Sequence, residues 1–208
     1  MFITRTRIST VLVAGTAAVA LFAAGCGSDD SDSMPGMDHG ASTGSTTTVA
    51  PAARTDFNDA DVTFLTMMYP HHAQAVEMAR LVPSRTENPQ LRTLASNVEK
   101  AQTPEMQQIT TLLTSFGKAA PTAGTGHAGH GAAMPGMMTA EQMTALAAAT
   151  GADFDRQWLG LMIEHHRGAV AMAETELAGG TNPESLALAR AVIADQQAEI
   201  TTMQGMLG

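Results

Sequence analysis

Met67-Met68-Tyr69-Pro70-His71-His72-Ala73-Gln74-Ala75-Val76-Glu77-Met78-Ala79 and Leu161-Met162-Ile163-Glu164-His165-His166-Arg167-Gly168-Ala169-Val170-Ala171-Met172-Ala173 are one segment written twice, 94 residues apart. Working outward at that shift, residues 59–109 align with 153–203 without a gap, and 17 of the 51 columns are identical. Two Ala- and Leu-rich helices would match by chance at Ala and Leu. They would not also match at Met, His-His, Met and Asn-Pro, so the chain carries an internal duplication.

Stepping each copy at 100° per residue puts Phe64, Met68, His71, His72, Ala75, Met78 and Ala79 within about 120° of arc. The copy does the same with Trp158, Met162, His165, His166, Ala169, Met172 and Ala173. That face is expected to be buried. Gln74, Glu77 and Arg80, or Arg167, Glu174 and Thr175, are expected on the solvent side. The first helix is predicted from about Phe57 to Val82 and its copy from about Ala152 to Ala178, ended by a left-handed residue at Gly179-Gly180. The second helices open at Asn88-Pro89 and Asn182-Pro183, with Asn as N-cap and Pro at the first helical position, and run to about Phe116 and Leu207. Pro70 and Pro104 are expected to kink the helices that contain them.

Each repeat (57–116 and 152–207) is therefore a helical hairpin, and residues 117–139 join the two. Within that connector, Thr139 and Gln142 form a capping box for a short extra helix. The fold class is all-α: a four-helix bundle, each helix about 38 Å long, with one long crossover. The folded domain spans residues 56–208.

Residues 1–25 read as an export signal, with Arg5 and Arg7 before an apolar stretch too short to span a bilayer comfortably. Leu21-Phe22-Ala23-Ala24-Gly25-Cys26 resembles a bacterial lipobox, with Ala23 where Leu is usual. Cys26 is the only cysteine of the chain, which excludes an internal disulfide and a multi-cysteine zinc site and makes it the expected lipidation site. Residues 26–55 are rich in Ser, Thr, Gly and Asp and read as a tether. The expected location is the cell envelope, anchored by lipid on the extracytoplasmic side of the membrane. A net charge of −9 argues against nucleic acid as a partner.

Fifteen methionines are an excess for 208 residues. Thioether sulfur is soft and neutral and suits Cu(I) or Ag(I) over Mg, Ca or Mn, while imidazole suits both copper oxidation states. Zinc would prefer His with carboxylate or Cys. Met can also serve as flexible core filler, but here one Met, His, His, Met spacing occurs twice. A metal on the first helix would use Met68 with His71 or His72 and be completed from another helix. The expected cofactor is a copper ion, held by Met68, His71, His72 and Met78 with Met162, His165, His166 and Met172. Met-Pro-Gly-Met occurs at Met34–Met37, near His39, and again at Met134–Met137, near His127, His130 and Met138. Met34, Met37, His39, His127, His130, Met134, Met137 and Met138 are expected to be auxiliary capture ligands in segments with no core to fill.

No Glu stands three residues before a His, as a di-iron bundle would need, and no phosphate loop, nucleophile elbow or zinc-protease motif is present. No catalytic residues are expected. A metal-dependent redox enzyme and a metal-free surface interaction module are the competing readings.

The two quoted segments resemble the signature of the bacterial family called domain of unknown function 305, over about Asp56 to the C-terminus. That resemblance implies a ferritin-like helical bundle of the cell envelope, copper binding and copper tolerance, and a copper-handling protein as partner. Carried over residue by residue, it implies the same ligand set: Met68, His71, His72 and Met78 with Met162, His165, His166 and Met172.

Overall fold

The computed structural model describes residues 54–122 and 134–208. Among them there are five helices and no strands: α1 Asp59–Arg85, α2 Pro89–Ser115, α3 Ala140–Ala148, α4 Gly151–Gly179 and α5 Pro183–Leu207. None of these helices is long and apolar enough to cross a membrane.

The helix starts follow the side chains the sequence places there. Asn58 accepts from the Ala60 and Asp61 amides, and Asp61 returns the bond to the Asn58 amide. Asn88 accepts from the Gln90 and Leu91 amides and Asn182 from the Glu184 and Ser185 amides, each followed by Pro at the first helical position. Thr139 and Gln142 form the expected box at the start of α3. Each cap satisfies amides that the first turn leaves without a partner.

One sequence expectation needs correction. Gly179-Gly180 does not end α4 with a left-handed residue: Gly180 has φ −72° and ψ 160°. What requires glycine there is space, because a Cβ on Gly180 would strike the buried Glu176 carboxylate. Pro70 and Pro104, together with Pro83, lie inside helices that continue through them.

α1 packs along α2, α4 along α5, and the two hairpins meet through α1 and α4. α1 and α4 run antiparallel: Asn58 Nδ2 donates to the Gly179 carbonyl at one end, and Trp158 Nε1 donates to the Met78 carbonyl at 2.9 Å near the other. The ends of the hairpins are cross-tied by the repeat's own identical residues. Asp61 accepts from the Asn182 amide at 2.9 Å, and Asp155, its counterpart 94 residues on, accepts from Asn88 Nδ2 at 3.0 Å.

The core is split. One apolar cluster gathers Met78, Val82, Leu91, Leu94, Val98, Trp158, Met162 and Met203. The other gathers Phe64, Leu65, Met68, Ile109, Leu113, Met172, Leu188 and Val192. On every long helix buried or half-buried polar residues stand between the two clusters: His71 and His72 on α1, Gln102 and Glu105 on α2, His165 and His166 on α4, Gln196 and Glu199 on α5. A polar layer thus crosses the middle of the domain.

Candidate metal centre

His71, His72, His165 and His166 are all fully buried. Antiparallel α1 and α4 bring His71 and His165 face to face, with ring centroids 3.8 Å apart and planes inclined by 39°. These two rings mark the centre of the duplication's internal symmetry. The same antiparallel pairing puts Met68 with Met172 in one apolar cluster and Met78 with Met162 in the other. Each apolar cluster therefore carries candidate thioethers from both repeats.

Burial pushes His71 down to about 3, helped by the neighbouring His72 and opposed by its bond to a carbonyl. His165 is held well below the ordinary imidazole value, first by burial and then by His71, His166 and His72. Both rings are neutral near pH 7, which leaves nitrogen lone pairs free to bind an ion. His71 Nε2 donates to the Pro135 carbonyl at 3.1 Å, His72 Nε2 to Glu105 at 2.8 Å, and His166 Nε2 to Glu199 at 2.6 Å. The Nδ1 atoms of His71, His72 and His166, and both ring nitrogens of His165, are buried without a hydrogen-bond partner. A buried unpaired polar group costs about 1–3 kcal/mol, and such groups concentrate where function requires them. Among the described residues no group of three or more His, Cys, Asp or Glu side chains could hold a metal ion. Imidazole together with thioether is a donor combination that suits a soft monovalent ion.

The second Met-Pro-Gly-Met segment is docked against this centre, contrary to its reading as a segment with no core to fill. Met138 is 5% exposed and belongs to the core. Gln74, expected on the solvent side, is buried: its side chain donates to the Met138 carbonyl at 2.9 Å and accepts from the Met138 amide at 2.7 Å. A Cβ on Gly168 would overlap the Pro135 carbonyl. Gly136, at φ 77°, lies against the α4 backbone so closely that its own Cβ would meet the Glu164 and His165 carbonyls. Gln74 and Gly168 occupy the same column of the duplication (74 + 94 = 168). The repeats have diverged there in a way that seats the connector. Met134 and Met137 are half-buried. Cys26, Met34, Met37, His39, His127 and His130 lie outside the described residues.

Two grooves approach the layer. One of about 450 Å³ is lined by Phe64, Met67, Pro135, Met172 and Glu176 among others. The other, of about 550 Å³ between α2 and α5, has Glu199 and Met206 in its wall. Sequence reading missed Glu105 and Glu199 as members of the centre. Their signal was present, since both are identical columns of the repeat, but spacing along α2 and α5 does not reveal which His each one meets.

Several solved structures share the fold. A putative secreted protein from Streptomyces coelicolor is 32% identical, with a TM-score of 0.65, over 71% of this chain and 91% of its own. A fragment from Deinococcus radiodurans is 33% identical, with a TM-score of 0.65, over 73% and 97%. CopM in a Cu(I)-bound form is 31% identical, with a TM-score of 0.59, over 70% and 94%. CopM has also been solved in Cu(II)-bound and silver-bound forms. A comparison with curated proteins found no match. The family model described as domain of unknown function (DUF305) matches residues 61–207, and the chain belongs to that family.

Proposed function

We propose that this protein binds copper outside the cytoplasm and sequesters, buffers or hands on Cu(I), with Ag(I) taken up by the same chemistry. The observation that carries the reading is the set of unpaired nitrogens on four buried imidazoles, between two apolar clusters that hold Met68 and Met172 on one side and Met78 and Met162 on the other. Met68, His71, His72, Met78, Met162, His165, His166 and Met172 are the proposed ligands. The likeness to a protein crystallised with Cu(I), Cu(II) and silver supports the choice of ion. Met34, Met37, His39, His127, His130, Met134 and Met137 are proposed as weaker capture ligands. Residues 1–25 serve as the export signal, Cys26 as the lipid anchor, 26–55 as the tether and 56–208 as a ferritin-like four-helix domain.

Competition of the folded protein against a Cu(I) chelator under anaerobic conditions, with Zn(II) titrated in parallel, tests the reading. Cu(I) and Ag(I) are expected to bind more tightly than Zn(II). Equal or tighter zinc binding would overturn it.

A further inference from the structure

Glu105 and Glu199 stand at one column of the duplication, and each accepts from the Nε2–H of the second His of its own repeat. The two imidazoles are fully buried, while the carboxylates are 17% and 19% exposed. A neutral imidazole carries one N–H, so a ring that donates through Nε2 presents a bare lone pair at Nδ1. In both rings that Nδ1 is buried and unpartnered. A carboxylate bound to one ring nitrogen fixes the tautomer, holds the ring plane and raises the basicity of the other nitrogen.

We propose that Glu105 and Glu199 are positioning residues that lock His72 and His166 in the Nε2–H tautomer and so make Nδ1 the metal-binding atom of each. This rests on the copper and silver reading above. The competing account makes each bond a tie between helices, α1 to α2 and α4 to α5, with no bearing on which nitrogen meets an ion. His71 receives the same treatment from the Pro135 carbonyl, so three of the four rings are set to offer Nδ1. Neither ring nitrogen of His165 has a partner of hydrogen-bond geometry.

Nitrogen NMR of the imidazoles, on the folded protein before and after loading with Ag(I), decides the matter. Without metal, Nδ1 of His72 and His166 should resonate as unprotonated and Nε2 as protonated. With silver, the coupling to the metal should appear at Nδ1. Glu105→Leu and Glu199→Leu should scramble the tautomers and weaken Ag(I) binding about 10–100-fold each. Glu105→Gln and Glu199→Gln keep an amide oxygen that accepts from Nε2–H, so the tautomer should persist and the loss be smaller. Silver coupling at Nε2 of these rings, an Nδ1–H tautomer in the wild type, or leucine variants that bind as the wild type does would each overturn the positioning role while leaving copper binding intact. Should the leucine variants unfold, the wild-type spectra and the glutamine variants still decide it. A wild type that takes up no silver would overturn the functional reading itself.

Discussion

His165 concentrates the tension of this molecule in one side chain. Both of its ring nitrogens are buried and unpaired, so in the metal-free protein it stabilises nothing that an apolar residue of similar size would not. His165→Leu should leave the metal-free protein as stable as the wild type, or more stable by about 1–3 kcal/mol, and should weaken Ag(I) binding by at least tenfold. Denaturant unfolding and a silver titration of the same sample check the two halves. A loss of stability greater than about 1 kcal/mol would mean that the ring is held by packing. The same residues set the pH profile. His71 and His165 titrate far lower in the fold than at their ordinary 6.5, so the unfolded chain binds more protons below pH 6.5 and stability falls as pH drops. Glu176 has the opposite sign. Burial raises it to about 7 from 4.5, so the folded state holds one extra proton between those values, and that contribution is lost as pH rises through 7. Between pH 4.5 and 6.5 two histidines oppose one glutamate. The net uptake of one proton on unfolding gives a rise of about 1.4 kcal/mol per pH unit. Above pH 6.5 the histidine contribution fades while Glu176 still opposes it, so the stability of the metal-free protein should level off near pH 7. Melting curves of the wild type and Glu176→Gln from pH 4 to 8 check this, and the variant, freed of the opposing glutamate, should gain stability more steeply than the wild type between pH 4.5 and 6.5.

The connector is the element whose sequence misled most. Its Met-Pro-Gly-Met repetition and small residues describe a solvated strand of ligands, whereas Met138 is core and the Pro135 carbonyl closes one side of the His pair. Two residues hold it there, and both escaped a helical wheel. A wheel sees only the stripe facing the partner helix, so it put Gln74 in solvent, where in fact the connector covers it. Gln74→Leu would strip the Met138 amide and carbonyl of their partners, each worth about 1–3 kcal/mol when buried. Exchange of the Met138 amide hydrogen should accelerate, and unchanged protection would refute the clasp. Gly168→Ala should cost about 1–3 kcal/mol in denaturant unfolding, the range for an overpacked contact, because its Cβ overlaps the Pro135 carbonyl. The long helices were far more legible. Asn-Pro and the Thr139/Gln142 box are local signals that act within one turn, and they start α2, α3 and α5 where the sequence predicts. The polar layer was legible only in half. Met and His fall on one helix face in each copy, but that Glu105 meets His72 depends on how α1 and α2 pack, which no spacing along a single helix records.

At the scale of the whole molecule, the duplication bears on whether the protein holds one ion centre or two. Separate sites would need each hairpin to enclose its own ligands. Instead the hairpins meet through α1 and α4, and His71 of one repeat touches His165 of the other at 3.8 Å between ring centroids. The candidate methionines of each apolar cluster also come from both repeats: Met68 with Met172, and Met78 with Met162. A centre built this way should fail as a unit. His71→Ala and His165→Ala should each lower Ag(I) affinity strongly, and the double variant should lose less than the sum of the two, because the first change already dismantles the shared site. Independent sites would give additive losses, with each single variant releasing about half of the tightly bound metal. Silver stoichiometry and affinity on the wild type, the two single variants and the double variant separate these outcomes. Denaturant unfolding of the metal-free forms shows whether a lost site is only a lost fold, and additive losses in folded variants would refute a shared centre.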